Sequence, residues 1–164
     1  MKTFLIIATL LVAIICGLMY AYACSVNPGL RKLKDIEYLH AMQSINRAIL
    51  NPWFFLCFMG ALPLQLIAAW MVHRAGGNSD VVVIVGASAI LYFAGVILVT
   101  GMGNVPLNEA LDKTSLDTLS IEALRQSREG FEIPWNKYHL IRTIASVATL
   151  IMMLVALVRI KNYD

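Results

Sequence analysis

The polar chemistry of this chain collects in two short stretches. One is Asn104-Val105-Pro106-Leu107-Asn108, and the other is Trp135-Asn136-Lys137-Tyr138-His139-Leu140-Ile141-Arg142-Thr143. Each borders an apolar run. On a helix, neighbours on one face recur three and four residues apart. Trp135, Asn136, His139, Arg142, Thr143 and Ser146 therefore share a stripe if residues 135–146 are helical. His139 suits general acid–base work, because an unperturbed imidazole titrates near working pH. Arg142, one turn on, suits an oxyanion such as a phenolate or enolate. It equally suits lipid headgroups, or a pair with Glu109 or Glu132. Asn104, Asn108 and Asn136 are candidates to orient a carbonyl or dioxygen, and equally candidates to cap helices.

The elements that must position these groups are apolar. Hydrophobic residues make up 59% of the chain and charged residues 14%, against roughly half and a quarter in a soluble domain. The mean hydropathy is +0.72. These values predict an all-α integral membrane protein, and 164 residues predict a single domain over 1–164. A helical span takes about 20 apolar residues. Four runs qualify, at residues 3–23, 52–72, 81–100 and 138–158. The expected fold is a four-transmembrane-helix bundle, with an amphipathic helix between helices 1 and 2 and a long, partly helical loop between helices 3 and 4. The first run also has signal-peptide features, with Lys2 ahead of it and Ala21-Tyr22-Ala23 behind. Its length favours a retained span.

In the first connector, Asn27-Pro28-Gly29 reads as a turn or helix break. Asp35 reads as an N-cap. After it Ile36, Leu39, Met42, Ile45 and Ile49 recur at helical spacing, opposite Glu37, His40, Gln43, Ser44 and Arg47. Asn51-Pro52 reads as the cap and first position of the second span. Trp53 and Trp70 suit its two interfaces, and Gln65 in its middle needs a hydrogen-bond partner. In the loop after helix 3, a short helix is expected around residues 116–130. The third span carries Gly86, Ala87, Ser88, Ala89, Ala94 and Gly95, a small-residue face for close packing, or for a second copy or membrane partner at helix 3.

Four spans put the first and third connectors on one side of the bilayer. This brings Gln43, Asn46 and Arg47 to the face that carries Asn104, Trp135 and Asn136. Those six are the candidate substrate-binding residues; His139, Arg142 and Asn108 are the candidate catalytic set. The expected location is a bacterial inner (plasma) membrane; the signal-like start favours the chain ends on the inside, whereas the Lys and Arg of the connectors favour the opposite orientation.

Several function classes lose support. The basic residues are scattered, so no nucleic-acid partner is expected. No Asp or Glu lies in the four runs, which weakens a proton-coupled exporter. There is no Walker A, H-E-x-x-H or C-x-x-C-H motif. The three cysteines form no C-x-x-C, which disfavours thiol redox chemistry. Among the histidines only His40 and His139 stand on the same side, a weak signal for metal or haem. No metal is assigned, and the cofactor is left open.

NPGLRKLKDIEYLHAMQSINRAILNPWFF, then NVPLNEAL, then WNKYHLIRTIAS resemble the anthrone-oxygenase-like integral membrane family in order and spacing, over nearly the whole chain. Fungal and polyketide-pathway members of that family oxidise anthrones to anthraquinones with dioxygen, without an established cofactor. The resemblance implies interest in Asn46, Asn104, Pro106, Asn108, Trp135, Asn136, His139 and Arg142. It implies an oxidoreductase acting on an aromatic phenol, anthrone or quinol that reaches the site from the lipid bilayer. A non-enzymatic protein stands beside it as the alternative. Such a protein would bind a lipid or small hydrophobe, or serve as a subunit of a membrane assembly, and its polar stripe would hold helices together.

Overall fold

The computed structural model describes residues 2–76 and 79–160. No strand occurs among them. We name five helices: α1 (Lys2–Leu30), α2 (Asp35–Ala48), α3 (Pro52–Arg74), α4 (Ser79–Asp112) and α5 (Ile121–Arg159). Four of them, α1, α3, α4 and α5, are long and apolar enough to cross a membrane. The expected four-helix architecture is therefore present, with α2 between the first two spans.

α1 packs against α3 and α5, and α4 closes the ring against the same two helices. Buried apolar side chains form three layers. In the first, Leu5 and Val81 at the starts of α1 and α4 meet Val72 and Met153 toward the ends of α3 and α5, so neighbours in the ring run antiparallel. The second layer joins Val12, Ile15, Phe58, Tyr92, Val96 and Ala145. The third joins Tyr38, Leu39 and Met42 of α2 to Leu111, Leu124, Phe131 and Trp135. Outside the ring, Leu10, Ile14, Leu56, Leu66, Val83, Ile90, Ile144 and Ile151 are exposed. An apolar surface that extensive suits lipid tails rather than water.

Polar groups inside the ring are satisfied across helices, as lipid surroundings require. Gln65 Oε1 accepts from Ser88 Oγ at 2.9 Å, its Nε2 donates to Ala61 O at 3.2 Å, and Tyr92 OH donates to Phe58 O at 2.9 Å. Gln65 thus finds the partner its burial demands. Asn51 Oδ1 accepts from Phe54 N at 3.1 Å, the cap expected for α3.

The helices outrun the expected spans. α5 has 39 residues and α4 has 34. At 1.5 Å per residue that is about 58 Å and 51 Å, against about 30 Å of hydrocarbon. Both stand proud of the bilayer on one side, and α2 packs across the projections to build the third layer. The expected long loop shrinks to residues 113–120, holding one 3₁₀ turn at Leu116–Thr118. The short helix expected at 116–130 is instead the first part of α5. Ser120 Oγ caps it, accepting from Ala123 N at 3.3 Å, and Arg125 bridges Glu122 and Glu129 along its exposed side. Burial of Leu124, Phe131 and Trp135 carries it through Pro134, since packing outweighs local propensity.

The break read at Asn27-Pro28-Gly29 and the end of the third span read before Asn104-Val105-Pro106 are also absent, for one shared reason. Asn27-Pro28-Gly29 and Asn104-Val105-Pro106 lie within continuous helix. Each proline is preceded by a widened π-type turn, Tyr22–Val26 and Thr100–Asn104. In these turns Asn27 N–H bonds Tyr22 O, and Val105 N–H bonds Thr100 O, five residues back. A proline lacks its own N–H, and its ring crowds the carbonyl four residues earlier. Widening the turn relieves that crowding without ending the helix. A smaller correction concerns Asp35, which is the first helical residue rather than the cap; Glu37 Oε2 accepts from Lys34 N at 3.1 Å.

Arg128 clamps α2 to α5. Its guanidinium donates to Asp35 Oδ1 at 2.9 Å, Glu132 Oε2 at 2.7 Å, Leu33 O at 2.8 Å and Arg31 O at 2.9 Å. It also lies 4.5 Å from the centre of the Tyr38 ring. Burial, reinforced by Glu132, pushes the Tyr38 phenol well above its ordinary range. The ring is therefore neutral, and its contact with Arg128 is a cation–π one.

The small-residue face of α4 is partly used within the chain. Ser88 and Ala89 are buried, whereas Ala87 and Ala94 stay exposed. A Cβ built on Gly95 would stand 2.5 Å from Ala145 Cβ, and one on Gly103 2.6 Å from Tyr138 Cγ. A Cβ on Gly86 meets nothing within 4 Å. Gly95→Ala should destabilise the detergent-solubilised protein by about 1–3 kcal/mol through overpacking, because Ala145 Cβ has no rotamer to escape into. Gly86→Ala should instead be neutral or stabilise by up to about 1 kcal/mol through helix propensity. Melting curves of the two variants check the contrast. Arg128→Ala should cost about 3 kcal/mol by leaving Asp35 unpaired and Glu132 with the exposed Arg31 alone, and hydrogen exchange should report the loosening first in α2.

Candidate functional site

Between the second and third layers lies a cavity of about 140 Å³ to which all five helices contribute. α1 supplies Met19 and Tyr22, α2 supplies Ile45 and Asn46, and α3 supplies Phe54 and Phe58. α4 supplies Thr100 and Asn108, and α5 supplies Trp135, His139 and Arg142. Tyr22 and Thr100 each open one of the widened turns. An extra residue in a turn shifts the phase of the helix beyond it. In α4 the turn lies between Thr100 and Asn108, and both still face the cavity.

Trp135 is the centre of the polar arrangement. Its indole Nε1 donates to Asn108 Oδ1 at 2.9 Å, and its backbone carbonyl accepts from Asn104 Nδ2 at 3.2 Å. The His139 ring stacks on it, with centroids 5.1 Å apart and planes 14° from parallel. The Arg142 guanidinium carbon lies 5.1 Å from the indole centre. Tyr22 leans in from α1, 6.0 Å from His139 and 6.4 Å from Trp135 between ring centres. Thr143 Oγ1 donates to His139 O at 2.7 Å and lies 3.4 Å from His139 Nε2. The backbone of Met19 also lies against the imidazole.

The site is under-bonded. Among the described residues, four buried side-chain polar atoms have no hydrogen-bond partner: Asn46 Nδ2, Asn104 Oδ1, His139 Nδ1 and Arg142 Nε. Three belong to the cavity wall, and the fourth lies behind Trp135. Arg142 is 9% exposed, yet its one hydrogen bond is a long 3.5 Å contact from Nη1 to Thr100 Oγ1. Neither Glu109 nor Glu132 pairs with it; Glu132 is held by Arg31 and Arg128. Buried polar groups are normally satisfied, and buried charges paired. A wall built this way can take a ligand that presents oxygen to Arg142 and an aromatic face to Trp135.

The structure brings His139, Arg142, Asn108, Trp135 and Asn46 together at the cavity. The stripe expected on residues 135–146 is helical, with Trp135, His139, Arg142, Thr143 and Ser146 buried. Asn104 supports Trp135 from behind. Three other candidates lie elsewhere. Asn136 Oδ1 accepts from Asn27 Nδ2 at 2.9 Å, joining α1 to α5. Gln43 Nε2 donates to Leu111 O at 2.8 Å and Thr114 O at 3.1 Å, pinning α2 to the end of α4. Arg47 pairs with Asp112. His40 stands outside the cavity, 3.0 Å from Asp117, and does not join His139.

Tyr22 and Thr100 are the polar wall residues that the sequence reading missed. Tyr22 was masked by its place in a signal-like tripeptide, and Thr100 by its place at the close of an apolar run. A hydroxyl within one turn of a proline-bearing motif is the signal common to Thr100 and Asn104-Val105-Pro106.

No curated protein and no solved structure matches the chain. A sequence model of a family described as anthrone oxygenase does match, over residues 54–152. The matched region holds Phe54, Phe58, Thr100, Asn108, Trp135, His139 and Arg142, the α3, α4 and α5 walls of the cavity. With more than half of its length matched, the chain belongs to the anthrone oxygenase family.

Proposed function

We propose that this membrane protein is an oxidoreductase that oxidises a small aromatic phenol, quinol or anthrone with dioxygen. The observation that carries this reading is Arg142, a buried guanidinium facing an apolar cavity with no carboxylate within ion-pair distance among the described residues. The missing counter-charge suits an anion that forms on the ligand. In the proposed scheme the ring system stacks against Trp135 and gives an acidic proton to His139. The resulting oxyanion rests on Arg142, with the amide group of Asn108 as a further donor. Asn108 Oδ1 is occupied by Trp135 Nε1, which leaves its NH₂ for the ligand. For an anthrone methylene, the carbon loses two hydrogens and keeps one oxygen atom as a carbonyl. The other oxygen leaves with the two hydrogens as water.

Size supports an aromatic ligand. A dry protein cavity of about 150 Å³ accepts benzene, and this one is about 140 Å³. One ring fits enclosed, and further fused rings extend through the mouth of the cavity.

Binding of a lipid or hydrophobe without turnover draws on the same mostly apolar wall, and two variants separate the readings. His139→Ala should lower turnover about 10²–10⁴-fold, the range for loss of a general base, with the melting temperature in detergent nearly unchanged. Unchanged turnover, or wholesale unfolding, would sink the assigned role. Arg142→Met should weaken binding of a phenolate by about 1.5–3 kcal/mol, the worth of a charged hydrogen bond. The same substitution should raise the melting temperature of the free protein, because it removes an unpaired buried charge. A lowered melting temperature would mark Arg142 as structural glue instead.

A further inference from the structure

The cavity has two differently built sides. Among its lining residues Leu50, Phe55 and Val105 are the most exposed, at 65%, 45% and 38%. All three are apolar. They sit at the corner between α2 and α3 and, opposite, at the proline-bearing turn of α4. Trp53, Leu56 and Met102, close to them in the chain, are exposed as well. The cavity also abuts a second pocket of about 150 Å³, and the two share Asn46, Leu50 and Asn108, so Leu50 is the corner between the apolar mouth and that pocket. That second pocket is charged, lined by Arg47, Glu109, Asp112 and Lys113. It lies where α2 meets the end of α4, in the part of the chain that projects past the bilayer.

Resting on the reading of the cavity as a reaction site, we propose that it is served by two separate routes. A lipid-dissolved aromatic molecule passes the apolar mouth at Leu50, Phe55 and Val105, and water and protons pass between Asn46 and Asn108 from the charged vestibule. A fused-ring ligand has no favourable path through the vestibule, whose walls are ionic. Water and protons have none through a mouth of apolar side chains facing lipid. Asn46 stands where the routes meet. Its Nδ2 is buried and without a partner on the line between cavity and vestibule. An amide there offers one hydrogen-bonding station for a passing water. Asn46 is thus a positioning residue for the polar route, and Val105 a gate residue for the apolar one.

Trp135 provides the reporter. It is 3% exposed and lines the cavity, so a contact quencher reaches it only by one of the two routes. With Trp53→Phe and Trp70→Phe in the full chain, Trp135 is the remaining tryptophan. The protein is placed in phosphatidylcholine vesicles and its fluorescence quenched with potassium iodide from water, or with 4-bromophenol partitioned into the lipid. Asn46→Leu should reduce iodide quenching severalfold and leave the 4-bromophenol rate unchanged. Val105→Phe should slow 4-bromophenol severalfold and leave iodide quenching unchanged. Asn46→Met and Val105→Leu repeat the two blocks should either first variant misfold by circular dichroism. Iodide quenching absent from the parent, or a variant that moves both quenchers together or neither, overturns the proposal. The two-route pattern without aromatic turnover would count against the oxidoreductase reading alone.

Discussion

The site depends on the cost of burying Arg142. Taking a guanidinium out of water costs several kcal/mol even after relaxation. What it meets in return is small. Its contact with the Trp135 face, at 5.1 Å, contributes about 2 kcal/mol when desolvated. Its hydrogen bond to Thr100, at 3.5 Å, is at the limit of usefulness. The balance is unfavourable in the free protein, so the bundle around Arg142 must supply the difference. It does so through three apolar layers and through polar groups elsewhere that are bonded, such as Gln65 with Ser88 and Tyr92 with Phe58. Among the described residues, the four orphaned side-chain atoms are gathered at one place, while the other buried side-chain polar atoms are satisfied. Strain concentrated in this way is how a scaffold keeps a site ready for a charge that appears only on a bound molecule.

Holding that cation in place takes long helices. Arg142 and His139 stand one turn apart near the middle of α5, and their orientation is set by Trp135, one turn further back. Trp135 in turn is fixed by Asn104 and Asn108, from the far end of α4. Those asparagines reach it because α4 continues past the bilayer through a widened turn rather than ending at residue 100. Gly103 lets α4 come close enough, since the space of its missing side chain is filled by the Tyr138 ring. The widened turn, the proline that follows it and the glycine inside it thus act together on one indole. α2 then closes the top, held by Arg128, by Gln43 and by the Arg47 pair with Asp112.

The spans and the polar stripe of α5 were legible in the sequence, because both are periodic signals. An apolar run of membrane length has few alternatives, and groups three and four apart must share a helical face. What was not legible depended on context. Pro28 read as a break and Pro106 as part of a loop, because sequence alone does not say that the preceding turn widens to admit them. Residues 101–137 read as a partly helical loop, because the burial that holds the first half of α5 helical comes from α2, far away in the chain. Gln43, Arg47 and Asn136 were grouped with the site by membrane side. Side of the membrane is a coarse coordinate: the three sit at that level, but their partners are Leu111, Asp112 and Asn27. Tyr22 was invisible for the reverse reason, since nothing in the first apolar run says which of its faces meets α5.

The depth of the site is itself a consequence of these constraints. A charge interacts about fourfold more strongly at an effective dielectric near 20 than in water, so Arg142 polarises a ligand most effectively where water is excluded. In the proposed scheme, a proton taken up by His139 must nevertheless be returned to water. The two needs conflict among the apolar first-layer contacts, such as Leu5 with Val72 and Met153. They conflict equally at the exposed start of α5, where solvent screens ion pairs such as Arg125 with Glu122 and Glu129. Between the second and third layers, the cation is buried and a charged vestibule lies one asparagine away. The boundary is therefore the one level of this bundle at which an unpaired guanidinium is both strong enough to act and close enough to water to be reset.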